Sequence, residues 1–378
     1  MLKRLKIAIF FSSDPSQAGG VQEHVFNLSR HLSILGHKVD IYGPEKNILP
    51  YINYHPISKS ITVPIPNGNW ANFTIKNDGK NLGGLLKEKK YDLIHIQEPY
   101  IPFINWEIMN ESTIPKVATF HTGWDDDSII SFINPFISLF KNTFSTNFKG
   151  GIFVSKIVKK RWQDLFTKNL HKEIIYNGVE EIFLPSDNKK KRKIIELLFL
   201  GRIVSRKGLI YLIKTINQIS KKRNDFHLTI VGDGLIKKKL ESYVKLHNLH
   251  KFITFTGEII GNKRVRYYQN ADIFCAPYID EAFGITVLEA SACGLPTVGF
   301  NNMAFKEIFK NYPYPKLLVE SKNIKKLEKA LLTLMDDEKM RKNISTWCVA
   351  ESKKYNWEKA ARKTEDFYFK ILRGRKTI

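Results

Sequence analysis

The chain has 378 residues, 43% of them hydrophobic and 12% aromatic, so it is long enough for about two globular domains and too apolar for a disordered protein. Lysine and arginine outnumber aspartate and glutamate by 60 to 37, which gives a formal net charge of +23. This charge favours anionic partners such as lipid surfaces, phosphorylated small molecules or nucleic acid. Because the lysines are spread along the chain, compositional bias explains the same excess.

The N-terminal text "MLKRLKIAIFF" is similar to the start of a signal peptide, but its apolar run is short and "SSDP" ends it. We therefore expect a first β-strand there. The chain has no run of about 18 apolar residues, so we expect no transmembrane helix. Cys275, Cys293 and Cys348 form no C-x-x-C pair, which predicts neither a zinc site nor a disulfide framework and fits a reducing, cytoplasmic setting.

Short apolar strands alternate with helical patterns through the first half of the chain. The strand "LKIAIFF" precedes a helix over 21–35, and the later strands are "KVDIYGP", "YDLIHIQ", "PKVATFH" and "GGIFVS". This alternation is typical of βαβ units. It predicts a mostly parallel sheet with helices on both faces.

The alternation restarts after about residue 184, beyond the charged text "LPSDNKKKRK". Further strands are predicted at "IIELLFLGR", "FHLTIVGDG", "KFITFTG", "ADIFCAPY" and "PTVGF", and the tail "YNWEKAARKTEDFYFKIL" is predicted to be an amphipathic helix. We therefore expect two doubly wound α/β domains, at 1–184 and 185–355, followed by a helix at 356–378. The site should lie in the cleft between the domains, at the carboxyl ends of strands.

The text "DEAFGITVLEASACGLP" predicts a loop followed by a helix that begins near Gly284. The start of a helix has unpaired N–H groups and the positive end of the dipole, so it favours an anion. Glu281 in the loop can accept hydrogen bonds from sugar hydroxyls, and Glu289 on the helix can reach a ribose. An ordinary surface helix with acidic caps is the alternative interpretation.

The text "GRIVSRKG" places two cations, Arg202 and Lys207, in a loop directly after a predicted strand. Arginine can bind a diphosphate bidentately and lysine adds a point charge, so the loop is a candidate diphosphate site. Two solvated cations in a basic protein are the alternative.

In the first half, "GGVQEH" places Gly19 and Gly20 at a strand-to-helix turn, where glycine allows the backbone to approach a phosphate or a sugar. The spacing is not G-x-G-x-x-G, so no dinucleotide fingerprint is predicted. His121 follows a strand at the expected edge of the cleft, where a hydrogen-bonded structural histidine is the alternative. Asp125–Asp127 fit a helix start better than a metal site, so no metal is assigned.

The glutamate pair, "GRIVSRKG", "IIYNGVEEIF" and "GGVQEH" together resemble the family-4 retaining glycosyltransferases of GT-B fold, over nearly the whole chain. The resemblance implies two Rossmann-like domains that face a cleft, with the C-terminal helix packing back on the first domain. It also implies a nucleotide-sugar donor, no cofactor and no metal.

Within that family, "GGVQEHV", "HIQEP", "VATFHT" and "EAFGI" are similar to the branch that transfers mannose from GDP-mannose to phosphatidylinositol. The similarity implies that cations hold the donor diphosphate, that one glutamate and a helix start hold the sugar, and that a second glutamate holds the ribose. His121 would contact the transferred sugar, and "TFTGEIIGNKR" would line the base pocket. The implied donor-binding set is Gly20, Arg202, Lys207, Ile259, Glu281, Phe283, Gly284, Ile285 and Glu289.

On the acceptor side the implied residues are Asp14, Gly19, Gly20 and His121. The loop "SSDPSQA" lacks the aromatic residue of that branch and has its aspartate displaced, which leaves the acceptor open. A helix with a basic face beside leucines suits an anionic membrane surface, although a solvated helix has the same pattern. Its lysines are Lys80, Lys87, Lys89 and Lys90, and the aromatic-rich text at 124–140 is a second candidate surface.

Three functions remain in competition. The first is a transferase that uses GDP-mannose and a lipid such as phosphatidylinositol, as a cytoplasmic protein bound peripherally to the inner face of the plasma membrane. The second uses a UDP-sugar and another lipid or a polysaccharide precursor. The third, nucleic-acid binding, rests on net charge alone, and the cations are not interleaved with aromatic residues as it requires. The sequence leaves the oligomeric state open.

Overall fold

A computed structural model describes residues 4–17, 19–45, 53–64, 70–76, 82–101, 104–123, 143–166, 170–186 and 193–373. The strands within these ranges are β1 Lys6–Phe10, β2 Lys38–Pro44, β3 Tyr54–Pro64, β4 Trp70–Lys76, β5 Leu93–Gln97, β6 Lys116–Phe120, β7 Gly150–Phe153, β8 His171–Ile174, β9 Ile195–Leu200, β10 Phe226–Val231, β11 Ile253–Gly257, β12 Ile273–Ala276, β13 Thr297–Phe300 and β14 Leu318–Val319. The principal helices are α1 Gly20–Ile34, α2 Leu82–Lys89, α3 Ile104–Glu111, α4 Lys156–Trp162, α5 Leu209–Ile219, α6 Lys237–Leu246, α7 Val265–Asn270, α8 Ile285–Ala292, α9 Met303–Ile308, α10 Ile324–Asp336, α11 Glu338–Ser352 and α12 Trp357–Arg373.

The chain divides into two compact units. The first unit contains most of the residues before Val179 together with the segment from Trp357 onward, and the second contains Val179–Asn356. The sequence placed this boundary at 184/185, where the charged text begins. The structure places it earlier because Val179 donates its N–H to Tyr355 O at 3.1 Å and the buried ring of Phe183 lies 5.7 Å from that of Tyr268, both within the second unit.

In the first unit the described strands form a sheet of order β4-β3-β2-β1-β5-β6-β7-β8. All neighbouring pairs are parallel except β3 and β4, which form an antiparallel pair at the edge. The central strands are buried along all or nearly all of their length, and they carry apolar residues on both faces rather than alternating apolar and polar residues.

Helix α12 completes the core of the first unit. Its buried residues recur every three or four positions, which defines one apolar face of a helix. Trp357, Phe367, Tyr368 and Ile371 from that face join the core cluster that contains β1, β2 and α1. Burying a large apolar side chain contributes about 1.5–3 kcal/mol, so this helix is an integral part of the unit. The prediction that the C-terminal helix packs on the first domain is confirmed.

The second unit contains a parallel sheet of order β11-β10-β9-β12-β13-β14. Counted in chain order this is 3-2-1-4-5-6, the order of the Rossmann fold, so the predicted doubly wound α/β fold class is confirmed. Cys275, Cys293 and Cys348 are buried and form no disulfide. Among the described residues, no helix is long and apolar enough to cross a membrane.

Candidate functional site

The strand order of the second unit reverses between β9 and β12, and the loops that follow these two parallel strands leave the same edge of the sheet. Ligands of doubly wound folds bind at this kind of switch point. We call the two segments the β9 loop (residues 201–208) and the β12 loop (residues 277–284). The sequence-predicted cations lie in the first loop and Glu281 lies in the second.

Backbone contacts hold the two loops together. Gly208 has φ +62°, and a Cβ built on it would lie 1.9 Å from Pro277 O, so glycine is required both by conformation and by space. Ile279 donates its N–H to Arg206 O at 2.9 Å. Because the main chains are locked in this way, side chains from the two loops are held in register.

Lys207 and Glu281 form an ion pair between Nζ and Oε2, with side-chain exposures of only 9% and 11%. The ammonium also lies 3.8 Å from the centroid of the Tyr278 ring, a cation–π contact. Burial lowers the pKa of Lys207 to about 8, although Glu281 opposes this shift. Burial would raise the pKa of Glu281, but Lys207 and Arg206 outweigh it and hold that pKa below its usual value.

Two further cations belong to the same loop. Arg202 is exposed, and Arg206 is half-buried with Nη1 donating to Asp280 O at 3.3 Å. With Lys207, three cations of the β9 loop therefore act on Glu281. The two loops together hold these three cations against the carboxylates of Asp280 and Glu281, and the net positive charge suits an anion.

Helix α8 begins at the end of the β12 loop. Gly284 is its N-cap with φ +95°, and the preceding Phe283 is buried. Val287 and Leu288 donate their N–H groups to Gly284 O at 3.0 and 3.2 Å, so the N–H groups of Ile285 and Thr286 precede the first hydrogen-bonded turn, at the positive end of the dipole. The predicted anion-favouring helix start is therefore next to the cation-rich loops.

Glu289 lies on α8 but is buried and already hydrogen-bonded. It accepts a hydrogen bond from Tyr268 at 2.7 Å and pairs with Arg264 Nη2 at 2.8 Å. A ribose would have to share these oxygens. Ile259, the predicted residue of the base pocket, is half-buried just after β11.

In the first unit the strand order reverses between β1 and β5, and the glycine turn lies in the loop after β1. Gly19 has an extended backbone and is the N-cap of α1, which begins at Gly20. Asp14 is buried, and its carboxylate accepts hydrogen bonds from Ser16 N at 2.9 Å and Ser16 Oγ at 2.7 Å, while its backbone oxygen accepts from Gln22 Nε2 at 2.8 Å. Asp14 therefore shapes its own loop.

His121 is buried at the carboxyl end of β6 and is surrounded by polar groups of the same unit. Its Nε2 lies 2.8 Å from Gln97 Oε1, and its N–H donates to Glu98 Oε1. The ring of His24, from "GGVQEH", meets the His121 ring edge-on at 4.5 Å. The predicted glycine turn and the predicted histidine are thus brought together through α1.

The basic helix α2 differs from its prediction. Leu82 and Leu86 are 1% exposed and Leu85 is half-buried, so most of the leucine face packs into the unit rather than facing a membrane. Lys87 and Lys90 are exposed and Lys89 is half-buried, with its Nζ 6.0 Å from the Tyr42 ring centroid. Lys80, Asp125–Asp127 and the aromatic text at 124–140 lie outside the described residues.

Sequence reasoning missed several residues of these sites. Gln97 and Glu98 were quoted in "HIQEP" but given no role, and Arg206 was passed over between two singled-out cations. Tyr278 carries no motif that would reveal its contact with an ammonium. Within the ranges that the structure describes, no group of three or more His, Cys, Asp or Glu side chains could hold a metal ion.

Comparison with known proteins finds a family model that matches each half of the chain. A family model described as "Glycosyltransferase Family 4" matches residues 18–181, and one described as "Glycosyl transferases group 1" matches residues 180–346. A glycosyltransferase of Methanocaldococcus jannaschii is 26% identical over 96% of this chain and 98% of its own. The phosphatidyl-myo-inositol mannosyltransferase of Mycolicibacterium smegmatis is 26% identical over 90% of this chain and 87% of its own.

Solved structures share the fold. Sucrose-phosphate synthase from Thermosynechococcus elongatus superposes with a TM-score of 0.78 at 20% identity, covering 98% of this chain and all of that one. The HepE protein of Anabaena, in complex with UDP and glucose, has a TM-score of 0.78 at 16% identity, covering 96% of this chain and 99% of that one. The fold is therefore of GT-B type, and the chain belongs to the family-4 glycosyltransferases, as a hexosyltransferase.

Proposed function

We propose that this chain transfers mannose from GDP-mannose, with retention and without a metal ion, to a lipid acceptor such as phosphatidylinositol at the cytoplasmic face of the plasma membrane. The observation that carries the proposal is the buried Lys207–Glu281 pair, flanked by Arg202 and Arg206 at the switch point of the second unit. The choice of mannose and of an inositol lipid is supported by relatives, matched over 90% and 91% of this chain, that are phosphatidyl-myo-inositol mannosyltransferases.

Donor binding is assigned to the second unit. Arg202 and Lys207 bind the diphosphate, with the start of α8 as a further source of N–H donors. Glu281 accepts hydrogen bonds from the sugar together with the backbone of 283–285, Glu289 binds the ribose, and Ile259 lines the base pocket.

Acceptor binding and the reacting carbon are assigned to the first unit. Gly19, Gly20 and Asp14 belong to the acceptor side, and His121 contacts the transferred sugar. As the diphosphate leaves, preorganised cations stabilise its growing charge, and the sugar passes through an oxocarbenium-like state. Departure and attack on the same face give retention without a covalent sugar–enzyme intermediate.

A second candidate keeps the fold and the reaction class and changes the substrates. It uses a UDP-sugar and another lipid or a polysaccharide precursor. Two observations favour it: the structural neighbour from Anabaena binds UDP and glucose, and the loop "SSDPSQA" departs from the inositol-lipid branch.

The proposed membrane contact is electrostatic. Lys87 and Lys90 are exposed at the end of α2 and belong to a chain with a net charge of +23. Such cations attract an anionic leaflet without insertion of apolar side chains, which fits the buried leucines of this helix.

Calorimetric titration with GDP-mannose, GDP, UDP-glucose and UDP, in the presence of a chelator, tests the donor. We expect GDP-mannose and GDP to bind and UDP-glucose to bind weakly or not at all. Tight binding of UDP would select the second candidate, and failure of every nucleotide to bind would contradict both. Labelled transfer to vesicles with phosphatidylinositol, against vesicles with diacylglycerol, then tests the acceptor.

A further inference from the structure

Two adjacent side chains at the end of β5 turn toward the same histidine. In a strand, successive side chains point to opposite faces, so Gln97 and Glu98 would normally diverge. Glu98 has φ +51°, a left-handed conformation that is uncommon for a residue other than glycine. This conformation ends the alternation and allows both side chains to reach His121 on the neighbouring strand.

The two residues hold different parts of His121. Gln97 is fully buried, and its Oε1 lies 2.8 Å from the imidazole Nε2. Glu98 is 4% exposed, and its Oε1 accepts the main-chain N–H of His121 while its Oε2 accepts the hydroxyl of Thr122 at 3.0 Å. A non-glycine residue in this backbone region costs on the order of 1 kcal/mol, which the surrounding contacts must offset.

The surroundings of His121 keep the ring uncharged. Burial lowers the pKa of His121 well below its ordinary value, and His24 and His95 lower it further. The group opposite Nε2 is the neutral amide of Gln97 rather than a carboxylate. Because an amide oxygen only accepts hydrogen bonds, Nε2 is the donor in this contact, which places the proton on Nε2 and the lone pair on Nδ1.

We propose that Gln97 and Glu98 are positioning residues that hold His121 as a neutral imidazole, with the proton on Nε2 and the lone pair on Nδ1. The proposal rests on the proposed function, in which His121 contacts the transferred sugar. A sugar that becomes cation-like in the transition state is repelled by an imidazolium and not by a neutral ring.

The test uses histidine-labelled protein and nitrogen NMR across a pH series, with assignment through His121→Gln. In the wild type we expect the His121 ring to have its proton on Nε2 and to stay neutral well below the pH at which an ordinary histidine titrates. Gln97→Glu, which has nearly the same size, should raise the pKa of His121, because an opposite charge favours the imidazolium. Gln97→Leu removes the acceptor and should change the tautomer.

Transfer kinetics give the second readout. Gln97→Glu should lower kcat at least tenfold as the pH falls through the new His121 titration, with donor affinity within about twofold of the wild type. Glu98→Gln should lower kcat mainly above about pH 7, where the wild-type carboxyl is ionised and accepts both hydrogen bonds and the amide has only one acceptor oxygen. Gln218→Glu, at an exposed position of the second unit, adds the same charge and should match the wild type.

The NMR result does not depend on turnover, so the positioning role and the proposed function can be contradicted independently of each other. An unchanged His121 titration in Gln97→Glu, or a wild-type ring with its proton on Nδ1, overturns the positioning role even if transfer is robust. The expected NMR shifts without transfer from any donor overturn the proposed function and leave the positioning role standing.

Discussion

Lys207 and Glu281 show how two charges are kept in a place that water reaches poorly. Each side chain is about one-tenth exposed, so each charge depends on the other and on nearby cations for its stability. Replacing one member of such a pair lowers the free energy of unfolding strongly, whereas replacing both members lowers it much less. This asymmetry separates a role in folding from a role in binding.

Lys207→Met should destabilise the second unit by about 3 kcal/mol, because Glu281 then loses its main partner. The double variant Lys207→Met/Glu281→Gln should recover most of that loss and still fail to bind a nucleotide sugar. Urea unfolding and calorimetry measure the two effects. Lys342→Met, which breaks an exposed pair with Glu338, should cost less than about 1 kcal/mol. Donor binding by the double variant would contradict the assignment.

Glu98 gives a pH prediction at the same scale. Burial raises its pKa from 4.5 to about 7, although hydrogen bonds from His121 and Thr122 oppose the shift. Between these two values the folded chain keeps a proton that the unfolded chain loses, so the stability contributed by this group falls as the pH rises through the window. The total loss of folding stability across this pH window is about 3 kcal/mol.

Glu98→Gln should remove that fall. Measured by urea unfolding from about pH 4 to about pH 8, its stability relative to the wild type should increase steadily with pH and level off above about pH 7. A difference that is constant across the series would show that the carboxyl is not held protonated in the folded state.

At the scale of elements, the junction between the β9 and β12 loops depends on backbone fit. Gly208 and Gly261 have nearly the same left-handed φ, +62° and +65°, but their surroundings differ. A Cβ on Gly208 would collide with Pro277 O, whereas a Cβ on Gly261 has no atom within 4 Å among the described residues. The pair therefore separates conformational strain from collision.

Gly261→Ala should cost about 1 kcal/mol, the strain of the left-handed region alone. Gly208→Ala should cost about 3 kcal/mol or more and weaken donor binding, because the β12 loop must move away. Unfolding midpoints and nucleotide titrations of the two variants test this. Equal losses in both would mean that the loops are free to separate.

The strands and their parallel arrangement followed from sequence because buried parallel strands are continuous apolar runs between helical patterns. The β3–β4 pair did not, because "YHPISKSITVP" is too polar and contains prolines, although Asn67-Gly68 is a typical hairpin signal. The spacing of the leucines predicted the apolar face of α2. It did not predict what this face packs against, because a protein core and a lipid layer favour the same residues. The role of Glu98 depends on a single φ value that no residue pattern encodes.

At the scale of the whole molecule, a net charge of +23 predicts salt-dependent attraction to anionic lipid. Lys87→Gln/Lys90→Gln should weaken binding to vesicles containing phosphatidylinositol by roughly tenfold or more, since each surface lysine contributes about 1 kcal/mol. The control, Lys238→Gln/Lys239→Gln, removes two exposed lysines of the second unit, so its net charge equals that of the α2 variant. Vesicle sedimentation compares them, and equal weakening would indicate a general charge effect rather than docking through α2.

The return of α12 to the first unit has a consequence for biosynthesis. Trp357, Phe367 and Tyr368 fill the core beside α1, so the first unit is incomplete until the ribosome has made the whole of the second. At typical elongation rates, synthesis of that intervening stretch takes on the order of ten to forty seconds. During this interval the apolar faces of β1 and α1 lack their cover, and the nascent chain presents a natural substrate for chaperones.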